Sequence, residues 1–415
     1  MIALGWVSLL TDVATEMVFP LLPRFIDTVL GAGKLGLGLI EGVAESTAAL
    51  VRLPSGVWSD RLRRRKPLVL AGYSVAGLVR PLMGLAVAPW QALVIRFTDR
   101  LGKGMRGAPR DALIADVTDP SVRGRAFGFH RAMDHAGAAI GPVLAFVFIS
   151  LWPMHLRTLF LLTLVPGLIV LAVLLIAVRE PPRRPATSDL PEDHPSGPPA
   201  LTESAAGVQS SQPGPRWSLA AFAPHFRWFL LALVVFTLGN STDAFLLIRA
   251  EELGVPYRYL PLLWFAFHVA KSAANLFWGR WSDRLDPRRL ILAGWLVYAA
   301  VYLGFGFAHT VLEVAVLFLL YAVYYGLTEP AEKALVALWV PADLRGTAYG
   351  WYNLMIGVMA LPASLIFGGI WQLTAWGAPA AFAFGAALSL VAAALLAMTF
   401  VFASDAARPK GDERA

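Results

Sequence analysis

The chain has 415 residues, 57% of them hydrophobic and only 15% charged, with 35 Lys and Arg against 28 Asp and Glu for a net charge of +7. Soluble domains carry about 25% charged and roughly 45–50% apolar residues, so this composition exceeds what a water-soluble core can hold and requires a lipid-facing exterior. The absence of cysteine excludes disulfides, thiolate metal sites and cysteine nucleophiles, and the seven histidines form no HExxH-type metal spacing.

Apolar runs of about 20 residues predict twelve transmembrane helices. In chain order the first six fall at residues 4–30, 35–58, 68–88, 90–117, 126–150 and 158–178. The first run contains Asp12 and Glu16 and lacks a basic leader, so it reads as a span and not as a cleaved signal peptide. Residues 179–222 follow, rich in proline, serine and acidic residues, and read as a largely disordered linker. The last six spans fall at 228–250, 259–281, 290–308, 311–340, 347–373 and 378–403, before a short tail over 404–415. The expected organisation is a six-helix bundle over 1–178, the linker, a second six-helix bundle over 223–403, and the tail.

Basic residues cluster between spans two and three (Arg61, Arg63, Arg64, Arg65, Lys66), between eight and nine (Arg284, Arg288, Arg289), in the linker and in the tail. The connections near Ala88, Ala308 and Trp376 have none. The excess of lysine and arginine on the cytoplasmic side places both termini and the linker there, in an inner (plasma) membrane. The same clustering accounts for the positive charge without a nucleic-acid partner.

The two halves repeat each other. GVWSDRLRRRK, beginning at Gly56, returns as GRWSDRLDPRR 223 residues later at Gly279. RGRAFGFH, beginning at Arg123, returns as RGTAYGWY 222 residues later at Arg345. Two blocks at nearly one offset imply two pseudo-symmetric halves.

These blocks carry a family resemblance. Gly56, Asp60, Arg61, Arg65 and Lys66 resemble the signature between helices two and three of the major facilitator superfamily. Gly279, Asp283, Arg284, Arg288 and Arg289 form its second copy, which departs by placing Asp286-Pro287 in the turn. RLGKGMRGA, from Arg100, is similar to the family's fourth-helix Arg-x-x-Gln-Gly segment, with Lys103 in place of the glutamine. Gly137, Gly141 and Pro142 resemble a fifth-helix stretch of antiporter-type exporters, although Ala145-Phe146 replaces the usual glycine pair. The resemblance covers the chain outside the linker. It implies the fold of that family, a monomer in the lipid bilayer, and secondary transport of a small molecule driven by protons or another coupling ion, without enzymatic activity, cofactor or metal.

Physical chemistry gives each motif a use. A carboxylate and a guanidinium at a helix junction can lock two helices in one conformer, which makes Gly56, Asp60, Arg61, Arg65, Gly279, Asp283 and Arg284 a conformational latch. The competing reading, strongest for residues 63–66, is a topology signal alone. Gly137, Gly141 and Pro142 suit close helix packing.

Ionisable residues inside spans are costly and usually face a cavity or a partner. Asp12, Glu16, Asp134 and Asp243 are the candidates for carrying a coupling proton. Arg96, Asp99, Arg100, Lys103, Arg110, Glu329 and Glu332 are the candidates for lining a substrate cavity, which the resemblance places among spans one, four, seven and ten. Arg96, Arg100, Lys103 and Arg110 share one helical stripe, which suggests an organic anion; the exporter-like fifth span suggests drug or metabolite efflux instead. Internal neutralisation by neighbouring acids is a third possibility for the stripe, and a solute sensor without turnover a further one for the chain. No Walker-type phosphate loop is present, so ATP drive would need a partner.

Overall fold

The computed structural model describes residues 2–61, 65–118, 123–153, 155–178, 219, 222–282, 285–341 and 344–406. Almost all of the linker, and the tail beyond 406, lie outside them. The described residues form twelve long helical passages. The first six are α1 (Ile2–Val29), α2 (Gly33–Arg61), α3 (Lys66–Leu85), α4 (Pro89–Asp116), α5 (Arg123–Leu151) and α6 (Leu156–Ile176). The last six are α7 (Pro224–Glu252), α8 (Leu260–Ser282), α9 (Pro287–Phe307), α10 (Val311–Trp339), α11 (Arg345–Leu373) and α12 (Gly377–Ala406). Nine of these are long and apolar enough to cross a bilayer. The other three, α2, α4 and α8, have the length but carry ionisable residues along it, and charge inside a span belongs against protein or water, not lipid.

Local chemistry sets where helices begin. At α4, Pro89 supplies a first position with no N–H to waste, and Gln91 Oε1 accepts from the N–H groups of Val87 and Ala88 at 2.6 and 3.2 Å. At α10, Thr310 Oγ1 accepts from the Glu313 N–H while Glu313 reaches back to the Thr310 N–H, a reciprocal cap. The Asp286-Pro287 departure in the second repeat turns out to be a cap as well. The Asp286 carboxylate accepts from the Arg288 N–H at 2.9 Å and from its guanidinium. Partial burial pushes the Asp286 carboxyl up, but the bonds from Arg288 outweigh it and hold the group below the usual range.

Helices then pack where side chains are small. Gly141 of α5 faces α1 so closely that a Cβ there would sit 2.8 Å from both Met17 N and Val13 O. Gly42 of α2 meets Leu361 of α11 in the same way, and Ser46 Oγ donates to the Gly357 carbonyl at 2.6 Å. Packing partners repeat between the two groups of six: α1 with α5 and α6 matches α7 with α11 and α12, and α3 with α4 matches α9 with α10. The groups meet along α2–α11 and α5–α8. A large aromatic core, including Phe236, Trp295, Tyr298, Tyr302, Tyr321 and Phe382, fills the last six helices.

Candidate functional site

The charged stripe of α4 becomes a set of ion pairs. Arg96 grips Glu41 of α2 through two bonds at 2.8 and 2.5 Å. Arg100 pairs with Glu45, one turn further along α2, at 3.0 Å. Asp99 takes Arg80 of α3 at 2.9 Å, with Arg96 at 3.8 Å. Arg106 stacks over the Tyr73 ring of α3 at 4.2 Å, and Arg110 pairs with Asp111 at 2.9 Å. Glu41, Asp99, Arg96 and Arg100 are each at most 6% exposed. Buried charges must be matched, since removing one partner leaves an uncompensated ion. Glu41, Arg96, Asp99 and Arg80 therefore form one chain of ion pairs between α2, α3 and α4, with the Arg100–Glu45 pair beside it.

Lys103 stands apart from that network. It is exposed, and among the described residues it forms no hydrogen bond or ion pair. Arg100, Glu45, Arg106 and Asp12 lie within electrostatic reach of it. Among the described residues no acid bonds it, whereas the arginines of the same stripe each hold one.

The α1 acids face other helices. Asp12 lies against Gly137 of α5, with Asp134, Glu16, Arg106 and Lys103 in reach. Glu16 crosses between the two groups of helices, accepting from Trp264 Nε1 of α8 at 2.8 Å, with His268 Nε2 at 3.9 Å. Asp134 accepts from Ser8 of α1 and sits 3.5 Å from His130. In the last six helices Asp243 accepts from the hydroxyls of Tyr321 and Tyr325 at 2.7 and 3.2 Å. Glu329, its side chain 43% exposed, is held by Asn275 at 2.9 Å and Lys271 at 3.8 Å. Glu332, by contrast, is buried and receives the Tyr352 hydroxyl at 2.5 Å.

Further bonds between the two groups gather at one end, opposite the basic cluster of Arg65 and Lys66. There Arg24 of α1 pairs with Glu251 of α7, and Lys34 lies 3.3 Å from Glu252. Tyr257 donates to the Pro153 carbonyl at 2.6 Å, and Gln372 accepts from the Leu35 N–H at 2.8 Å. Towards the basic end the side chains of Arg52, Glu45, Arg131 and Glu329 are 43–69% exposed. The polar side chains are thus bonded together at the far end and exposed towards the basic end, in the outline of a polar funnel. Of the latch residues, Gly56 and Arg65 are described and Arg65 is buried. The side chains of Asp60 and Arg61, and Gly279, Asp283 and Arg284 with them, fall outside the description. Arg80, Trp264, Asn275 and the tyrosines of α10 escaped the sequence reading. Arg80, lying well inside a predicted span, carried a signal; the others resemble ordinary interfacial or packing residues.

Twelve helices in two similarly packed sets, around a charged funnel open at one end, define a membrane transporter. The chain belongs to the Major Facilitator Superfamily, whose family model matches residues 4–267 and 229–415. It is 29% identical to an MFS-type transporter of Methanocaldococcus jannaschii, over 95% of this chain and 93% of that protein. It is 26% identical to the multidrug resistance protein MdtH of Baumannia cicadellinicola, over 84% and 78%. Among solved structures, the nucleoside transporter NupG superposes with a TM-score of 0.72 at 13% identity, covering 96% and 98% of the two chains. A bacterial homolog of the human lysosomal transporter Spinster, inward-facing and occupied, gives 0.69 at 16%, covering 98% and 96%. At these identities the structural likeness concerns the fold alone.

Proposed function

We propose that this transporter moves a small organic anion by alternating access, using the energy of an ion gradient, with protons as the coupling ion. The carrying observation is Lys103, an exposed cation in the funnel to which no carboxylate among the described residues is bonded, beside arginines already paired with acids. A cation that no acid bonds, set among apolar walls of low dielectric, attracts anions. The second reading, efflux of cationic or neutral hydrophobic compounds, draws on the relatives called multidrug resistance protein MdtH. A thermal-shift screen of purified protein against organic anions and cationic drugs, at two pH values, separates the two. Stabilisation by anions supports the first; tight binding of hydrophobic cations with no anion response rejects it.

In this reading residues 1–178 and 223–403 rock against each other as two bundles within a monomer, in a plasma membrane with both termini cytoplasmic. The basic end of the funnel then faces the cytoplasm. A periplasm-active reporter inserted in the linker near Pro198 is expected to be silent; activity there reverses the orientation.

The repeated Asp60 and Asp283 motifs act as latches on the cytoplasmic side. Asp60→Asn and Asp283→Asn are expected to keep the fold but shift the balance between inward and outward states, for which a few kcal/mol of differential stabilisation suffices. Spin-label distances across the cytoplasmic mouth report the shift. Unchanged distances and normal transport in both variants reject the latch.

A further inference from the structure

Helix α7 is interrupted at its centre. Its first segment ends at Gly239 and the second begins at Ala244, so Asn240, Ser241, Thr242 and Asp243 lie between them. A break within a span leaves backbone carbonyls that an unbroken helix would satisfy internally, and it places the negative end of the first segment's dipole inside the bundle. All four side chains in the break carry oxygen.

Asp243 is the charged member. Its two oxygens accept from Tyr321 and Tyr325, which leaves each with a further lone pair, and it sits at the N-terminus of the second segment, whose positive end offsets part of its charge. Among the described residues it forms no ion pair. Lys271 is the basic group in reach, yet its Nζ sits 3.5 Å over the Tyr325 ring and 3.8 Å from Glu329. The comparison with the first six helices is direct, because Glu41, Glu45 and Asp99 each hold an arginine.

A second observation is independent of the carboxylate. The hydroxyls of Ser241 and Tyr302, on residues 4% and 0% exposed, are neighbours, with the Tyr298 and Tyr321 hydroxyls also around Tyr302, yet neither Ser241 nor Tyr302 closes a hydrogen bond of good geometry. Buried polar atoms left in that state are costly, and they are commonly accounted for by an ion or a water. Close by, the Tyr298 hydroxyl draws together the Gly239 carbonyl and Asn240 Oδ1, at 2.9 and 3.4 Å.

We propose that the break in α7 binds a sodium ion, held by the Asp243 carboxylate, Ser241 Oγ and the Tyr302 hydroxyl, with the Gly239 carbonyl and Asn240 Oδ1 as the further oxygens available. One carboxylate among neutral hard oxygens matches a single positive charge. Among the described residues there is no cluster of three or more His, Cys, Asp or Glu, as a divalent or transition metal would favour. Discontinuous helices that present carbonyls and a negative helix end to a coupling cation are a recurrent device in membrane transport. The ion's use in coupling rests on the transporter reading above, with the α1 and α5 acids left to protons. Its binding does not, and is measured without turnover.

The test uses the purified full-length protein in detergent, with sodium chloride replacing choline chloride at constant ionic strength. Thermal midpoint and tryptophan emission are followed together, since Trp295 stacks on Phe236 in the same core. The expected result is a saturable, sodium-specific rise in midpoint that potassium does not reproduce. Asp243→Asn abolishes it, and Ser241→Ala moves the half-saturating sodium concentration at least tenfold higher. The Ser241 variant decides the matter should the Asp243 variant fail to fold. No sodium-specific rise, an equal response to potassium, or an unchanged half-saturation in Ser241→Ala overturns the site. Failure of anion uptake in proteoliposomes bears on the proposed function alone.

Discussion

Replacing Lys103 with glutamine is expected to weaken anion binding by about 1.5–3 kcal/mol, the worth of a hydrogen bond to a charged group, or roughly 10- to 150-fold in Kd. Lys103 is exposed and, among the described residues, free of a bonded acid, whereas Arg96 and Arg100 are held by Glu41 and Glu45. Neutralising either arginine would strand a carboxylate and damage the bundle, so a loss of binding there would say little. Lys103→Gln removes one exposed charge and leaves the buried network whole. Isothermal titration with an anion identified in the stabilisation screen gives the answer. Unchanged anion affinity, with a moved pH dependence of transport, would show that Lys103 serves only to balance Glu45 and Asp12, and would remove it from the substrate site.

The second large effect is expected at α1. Asp12→Asn or Glu16→Gln should abolish gradient-driven accumulation while leaving solute binding or exchange intact. Asp12 and Glu16 lie one turn apart on a single helix face, with Asp134 close by and Lys103 and Arg106 as the facing cations. Glu16 has a further role that the helix alone does not disclose. It accepts from Trp264 across the seam between the two groups of helices, close to His268. Glutamine can keep the bond from Trp264, because its carbonyl oxygen still accepts, but cannot carry or release the proton. Glu16→Gln therefore separates closure of the far end from coupling. Proteoliposomes loaded with solute and challenged with an imposed pH gradient measure accumulation, and counterflow measures exchange. Should both variants retain pH-dependent accumulation, the coupling acid lies elsewhere, with Asp134 of α5 the next to be replaced.

Spin labels at the far end would add a geometric reading to the same variants. Arg24 with Glu251, and Lys34 with Glu252, must separate before that end can open. Pairs of this kind between partly exposed side chains are individually weak, with a median of about 0–1 kcal/mol, so they can be broken and remade within a transport cycle.

Much of the architecture was legible in the chain because each step rests on short-range rules. Bilayer thickness sets the length of an apolar run, which is why the twelve predicted spans agree with the helical passages to within a few residues at most ends. The doubled GxWSDRL block showed the duplication without any contact being known. Asp286-Pro287 could be read from sequence only as a departure from the motif, although the pair is a helix cap of ordinary local chemistry. The break in α7 was not legible. Asn240, Ser241 and Thr242 sit within a run hydrophobic enough to pass as one continuous span.

The candidate site divides along the same line. That ionisable residues crowd α1, α2, α4 and α10 was determined by the sequence itself, because charge within an apolar run is visible wherever the run is counted. Which of those charges remain available was decided only by tertiary structure. Arg96, Arg100 and Lys103 are indistinguishable along one helical stripe, separated by four and three residues. Their fates diverge because α2 lays Glu41 and Glu45 against the first two and, among the described residues, nothing that bonds the third. Likewise Glu329 and Glu332 stand one turn apart on α10, yet one meets the funnel and the other is buried under Tyr352 of α11. A charge's partner comes from another helix, set by how bundles pack, and that pairing has no counterpart in the spacing of residues along one helix.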